Sequence, residues 1–253
     1  MTEPYLGRLP SPADPRTLTL GTYLTAGAVL PEAVAWYKAV PSEGWRMFGN
    51  HTHGDCTCAA AAHLIMAWTA NIGREAAPSE EAVLGFYDHF SKGQPWAGAD
   101  MLSVLRYWHR EGLASHRIES YASVDRHQHV ELKQAIALFG GAYVGIGLPK
   151  FATPAAGRYE GVPWVLPHGG AVGDAARRPS HGHCVSIVGY DERVLYAVTW
   201  GQLKTMSWDF YDAYVEEAFV VLSPDWTSAK HGGKAPNGFD RERLLRDLRA
   251  LEH

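Results

Sequence analysis

Cysteine is scarce in this chain: three thiols, Cys56, Cys58 and Cys184, among 253 residues. Three cysteines cannot build a disulfide framework of the kind that staples small secreted domains, so the thiols are expected to be reduced. Charge of one sign is also missing. Lys and Arg number 23 against 27 Asp and Glu, giving a formal net charge of −4, and no basic block occurs. That leaves no footprint for a nucleic-acid surface or a polybasic membrane anchor. No run approaches the roughly 20 apolar residues that span a bilayer. The first seven residues have neither the basic nor the apolar region of a secretory signal. The expectation is a cytosolic protein with no nucleic-acid and no membrane partner.

What is present is ordinary globular usage, 46% hydrophobic and 20% charged, enough for substantial cores. Residues 1–44 carry six prolines and little periodicity, and read as an extended arm wrapping the surface. Gly54-Asp55 then supplies a turn into Cys56, and an Ala-rich helix follows. The first amides of a helix lack internal partners and the macrodipole adds positive charge there. A thiol at Cys56 is therefore expected to have a lowered pKa and to react near neutral pH. Helix geometry turns Cys58 about 200° away from Cys56, which makes it a buried small residue.

The segment His183 to Tyr190 alternates β-branched residues and ends in a turn, so it reads as a strand bearing a histidine at its start. Along it His181 and His183 share one side, and Cys184 faces the core. A cysteine at a helix start with a histidine on a distant strand is the two-residue kernel of thiol acyl transfer. Ser79 caps a second helix, and Asp100 to Trp108 begins a third that stops near Gly112. From Ala142 onward short strands dominate: 143–148, 183–188, 194–198 and 218–222. Residues 149–179 form a Gly- and Pro-rich loop that suits a cleft wall or a lid. The chain closes with an amphipathic helix presenting Leu244, Leu248 and Leu251, suited to docking on its own body or to self-association.

These blocks resemble the papain-like cysteine peptidases. Asn50 stands six residues before Cys56, where that family has a glutamine. His183-Cys184-Val185-Ser186-Ile187-Val188-Gly189-Tyr190 is similar to its His-Ala-Val-x-x-Val-Gly-Tyr, and Val198-Thr199-Trp200-Gly201 to its Asn-Ser-Trp-Gly. The resemblance covers roughly residues 45–222 and implies an α+β, two-lobe fold, with a helical lobe over 45–141, a β-rich lobe over 142–222 and the cleft between them. The arm at 1–44 and a polar linker with the terminal helix at 223–253 lie outside it. It further implies Cys56 as nucleophile, His183 as general base and Asn50 as oxyanion donor. Thr199 or Val198 falls where the family's asparagine orients the imidazole, and of the two only Thr199 has a hydroxyl to offer. Trp200, Gly54 and His181 are candidate substrate-binding residues. The residues preceding Cys56 are too few for a family-style prosegment plus the mature first strand, so regulation by another route is expected.

The functional expectation is a thiol-dependent hydrolase of peptide or isopeptide bonds acting on a peptide or protein, with no cofactor. Three alternatives differ in class. One is a papain-fold binding or structural protein without turnover, for example a phage or virion component. Another is a cell-wall amidase or endopeptidase. The third is a zinc-type site gathering His51, His53, Cys56 and His183.

Overall fold

In a computed structural model of the chain, the described residues are 6–25, 29–41, 44–154, 159, 162–178, 182–230 and 238–251. His181 lies outside them. In chain order the elements are β1 (Arg8–Leu9), β2 (Val34–Ala35), α1 (Cys56–Asn71), α2 (Glu80–Ser91), β3 (Ala99–Asp100), α3 (Met101–Glu111), β4 (Ser120–Ser123), α4 (His129–Phe139) and β5 (Ala142–Gly147). There follow β6 (Gly182–Tyr190), β7 (Val194–Thr199), β8 (Gln202–Ser207), α5 (Trp208–Tyr214), β9 (Val215–Leu222), α6 (Pro224–Lys230) and α7 (Arg241–Leu251). Strands β1 to β4 and β8 and helices α5 and α6 were not foreseen from the sequence; α6 occupies the start of the segment read as a polar linker.

The sheet runs β3-β1-β6-β5-β9-β4, with β2 and β7 also on β6, and β8 on β7. It separates two cores, because successive strand side chains point to opposite faces. Tyr143, Cys184 and Val188 pack with Leu64, Val83 and Leu105 of α1, α2 and α3. Val144, Val185 and Ile187 pack with Ile136 of α4, Phe210 of α5 and Leu244 of α7. Helix α4 precedes residue 142 in sequence, yet it belongs to the β-rich half by packing.

Helix α1 is buried on every side from Cys56 to Thr69, as expected of a helix apolar all round. Its alanines, 59 to 62, let β6 approach closely. Two bonds fix the approach: Ser186 Oγ donates to the Ala60 carbonyl at 2.6 Å, and Tyr143 OH to the Thr57 carbonyl at 2.8 Å. The start of α1 is thereby locked against β5 and β6. At the other end, the final carbonyls of α4 accept indole N–H groups from Trp36, Trp226 and Trp68.

The arm departs from its expected course. Rather than staying on the surface, it enters the interior: Gly7 and Arg8 are buried, as are Leu20 and Tyr23. Strand β1 pairs parallel with β3 and antiparallel with β6, at Gly182, so the arm is threaded between the helical and β-rich halves. The terminal helix docks on its own chain. Leu244 is fully buried, and Tyr23 OH donates to Asp247 at 2.9 Å.

Candidate active site

Cys56 opens α1, where the Asp55 carbonyl accepts from the amides of Cys58 and Ala59 at 2.8 and 2.9 Å. The loop before it is pinned to the segment between α2 and β3 by Gly54 N–H to the Pro95 carbonyl, 2.7 Å. The Cys56 sulfur accepts hydrogen bonds from the backbone amides of Gly7 and Cys184. The thiol therefore lies against β6 one residue beyond His183, with the arm on top of it.

His183 starts β6. Its Nε2 lies 2.6 Å from Thr199 Oγ1, while its Nδ1 is buried without a partner. Trp200 stacks on the imidazole, centroids 4.1 Å apart and planes 12° from parallel. This stack follows from the β7–β8 hairpin. Thr199 pairs with Gln202, so Trp200 and Gly201 form a two-residue turn with φ of +49° and +68°. Two-residue hairpin turns with positive φ at both positions suit the strand twist, but a bulky residue there is strained. The strain places the indole over the histidine and ends β7 with the Thr199 hydroxyl facing the ring.

Asn50 is oriented inward, but its amide is already engaged. Nδ2 donates to Asp55 Oδ1 at 3.0 Å and to the His53 carbonyl at 3.3 Å. Asp55 is fully buried, its Oδ2 has no partner, and burial pushes its carboxyl well above the usual range. Thus Thr199 and Trp200 meet the His183 ring, Asn50 meets Asp55 next to Cys56, and each of Cys56, His183, Asn50, Thr199 and Trp200 is at most 2% exposed. Gly54 joins them as the backbone on which Gly7 rests; a Cβ on Gly7 would collide with the Gly54 carbonyl. Trp200 sits in the core beside Trp164 rather than lining an open surface. Trp164 in turn pins the 149–179 loop to β8 through its N–H and C=O, at 2.9 and 2.8 Å.

The electrostatics correct the sequence expectation for the thiol. Burial pushes Cys56 up to about 11, outweighing the amides of Gly7 and Cys184 that favour the thiolate. Burial also lowers His183 to about 3, helped by the positive charges of Arg8, His63 and Lys204. In this closed state both partners are neutral at pH 7. The helix-end effect, about one kcal/mol or less, is smaller than the desolvation of a thiolate sealed from water.

Sequence reasoning missed Arg8, Asp55 and Lys204. Arg8 is 3% exposed, and its guanidinium pairs with both Glu216 and Glu217 of β9. Nothing local marks it; its partners are more than 200 residues away. His51 and His53 are not drawn into the site, and among the described residues no group of three or more His, Cys, Asp or Glu side chains is placed to hold a metal ion.

No protein-family model matches the sequence, and no curated protein matches it. Solved structures do. The chain is similar to xylellain, a cysteine protease from Xylella fastidiosa, with TM-score 0.64 and 17% identity over 87% of this chain and 97% of that one. It is similar to a procathepsin B from Trypanosoma congolense, with TM-score 0.57 and 11% identity over 87% and 86% of the two chains. It is also similar to a Carica candamarcensis cysteine protease in complex with E-64, with TM-score 0.55 and 16% identity over 76% and 99%. At these identities the likeness is one of fold: the chain has the α+β, two-lobe papain-like fold.

Proposed function

We propose that this papain-fold chain is a thiol-dependent hydrolase of peptide or isopeptide bonds, with Cys56 as nucleophile and His183 as general base. The observation that carries the reading is the state of the His183 ring. Nε2 lies 2.6 Å from Thr199 Oγ1 and Nδ1 has no partner; we read Nε2–H as the donor to the hydroxyl, the tautomer in which Nδ1 carries a free lone pair. That nitrogen is buried and unpartnered beside the strand residue whose amide holds the Cys56 sulfur. A buried lone pair without a donor costs free energy, and a role in proton transfer accounts for its presence here.

In the reaction so read, Nδ1 takes the thiol proton and the thiolate adds to the substrate carbonyl. The oxyanion is received by the Cys56 backbone amide and by Asn50, once the latter turns from Asp55. The imidazolium then protonates the leaving amine, and water, deprotonated by the same ring, frees the acyl-enzyme. Thr199 positions the ring, and Trp200 shields the Thr199 contact from water. The arm must withdraw for a substrate to enter, because Gly7 stands on the sulfur. The cysteine proteases that share the fold support a peptide or protein substrate.

A second reading, a papain-fold binding or structural protein without turnover, is favoured by the same closure. The two are separated by intact-protein mass measurement after exposure to an activated ester. With the arm displaced by Gly7→Val, whose side chain would meet the Gly54 backbone, the hydrolase reading predicts a single acyl adduct that Cys56→Ala abolishes and Cys58→Ala retains. No adduct, or equal loss in both variants, overturns it.

A further inference from the structure

We infer that Glu216 and Glu217, with Gly145, Gly147 and Gly182, form a pocket that selects a basic side chain in the substrate, and that Arg8 of the chain's own arm occupies it in the closed state. The inference rests on the hydrolase reading above and names the substrate class of that site.

Adjacent residues of a strand normally point to opposite faces, so Glu216 and Glu217 should not meet one guanidinium. Here they do. Gly145 pairs with Glu217, but the next residue, Ile146, pairs with Val215, leaving Glu216 as the extra residue of a bulge. Bulges re-aim side chains next to functional sites. This one turns two successive carboxylates toward Nη1 and Nη2 of Arg8.

Glycines hollow out the rest. A Cβ on Gly145 would lie 2.6 Å from Met101 Sδ and 2.8 Å from both Arg8 Cδ and Glu217 Cγ. One on Gly147 would lie 2.7 Å from Glu216 Oε1, and one on Gly182 would lie 2.9 Å from Arg8 Nε. The cavity thus fits an extended basic side chain from stem to head, and the Arg8 side chain within it is only 1% exposed.

Its position ties it to the chemistry. Arg8 is the residue after Gly7, whose amide bonds the Cys56 sulfur, and Gly7 O accepts from Ala99 N–H at 2.8 Å. The arm is held as a strand between β3 and β6 by main-chain bonds that any peptide can make. Such strand addition takes its affinity from the backbone and its specificity from side-chain pockets. An apolar side chain entering this pocket would leave the two half-buried carboxylates without the cation that pairs them, and an acidic one would add like charge beside them, so both are disfavoured against a basic side chain.

The test uses the full chain carrying Arg8→Ala, which empties the pocket, and a set of peptidyl acyloxymethyl ketones differing only in an Arg, Lys, Leu or Glu residue. Labelling of Cys56 is followed by mass spectrometry, with iodoacetamide as a control for reactivity. Gly7→Val serves in parallel should the alanine variant fold poorly or keep the groove closed, since a side chain at Gly7 meets the Gly54 backbone and must push the arm, Arg8 included, out of the groove. The Arg and Lys probes are expected to label at least tenfold faster than Leu or Glu. Adding Glu217→Gln should cut that preference severalfold. If iodoacetamide labels Cys56 but the four probes react alike, the pocket assignment is wrong and the hydrolase reading stands. If iodoacetamide does not label Cys56 in either variant, the hydrolase reading and the pocket fall together.

Discussion

The backbone amide of Gly7 donates a hydrogen bond to the sulfur of Cys56. A nucleophile at a helix start is thereby covered by the chain's own arm, and removal of water keeps the thiol protonated. The same arm carries Arg8, whose positive charge helps to keep His183 neutral. Opening the groove is expected to restore water, lowering the thiol and raising the imidazole in pKa; a thiolate–imidazolium pair forms once the thiol falls below the imidazolium.

Gly7→Val tests this directly, because a side chain at Gly7 meets the Gly54 backbone and must push the arm away. The pH midpoint of iodoacetamide labelling at Cys56 is expected near 11 in the unaltered chain and at least about one unit lower in Gly7→Val. An unchanged midpoint would show that something other than the arm buries the thiol.

Thr199→Val keeps the shape of residue 199 and removes its hydroxyl from the 2.6 Å contact with His183 Nε2. Turnover should fall by about tenfold, corresponding to one to two kcal/mol for a single hydrogen bond, with KM little changed. Thr199→Asn should retain or raise turnover. Equal turnover in Thr199→Val and the unaltered chain would reduce Thr199 to packing.

Acid stability follows from two buried histidines. Burial lowers His63 to about 4 and His183 to about 3, from an ordinary value of 6.5. As pH falls below about 6.5 the unfolded chain binds protons that the folded chain refuses, so stability is full above that pH and declines toward pH 4 and then 3. The loss is on the order of 3 kcal/mol or more per histidine at the acid end. Asp55, raised by burial, works in the opposite sense. Comparing the unaltered chain with His63→Leu isolates one group: the pH slope of unfolding free energy between 4 and 6.5 should be shallower by about one proton in the variant. Identical slopes would mean that His63 is charged or exposed.

Much of the scaffold was legible because its signals are local. The Gly54-Asp55 turn before an alanine-rich run fixes the start of α1, and the alternation from His183 to Tyr190 fixes β6. Ser79 and Asp100 cap α2 and α3 as their spacing predicts, accepting from Ala82 and Ser103. What escaped is tertiary. The seating of Gly7 and Arg8 depends on Gly54, Gly98, Gly182 and Glu217, which no window of sequence contains together. The thiol's upward shift escaped for the same reason: helix position is visible in sequence, whereas burial by a distant segment is not. Strand β4 is Ser-rich, and β8 interposes a buried lysine, Lys204, so neither shows a clean apolar alternation. Helix α5 did announce itself through Ser207, which caps it by accepting from Phe210 N–H at 3.2 Å, but its aromatic run hides the period.

The most direct measurement is the site of modification by limiting iodoacetamide at neutral pH in Gly7→Val, mapped over the three cysteines. All three are buried thiols in the closed chain, so accessibility alone does not single one out. The account predicts modification at Cys56 at least tenfold faster than at Cys58 or Cys184, and suppression of that rate when His183→Ala is added. Modification spread evenly over the three, or a Cys56 rate indifferent to His183, would contradict the claim that these two residues form a nucleophile and its base.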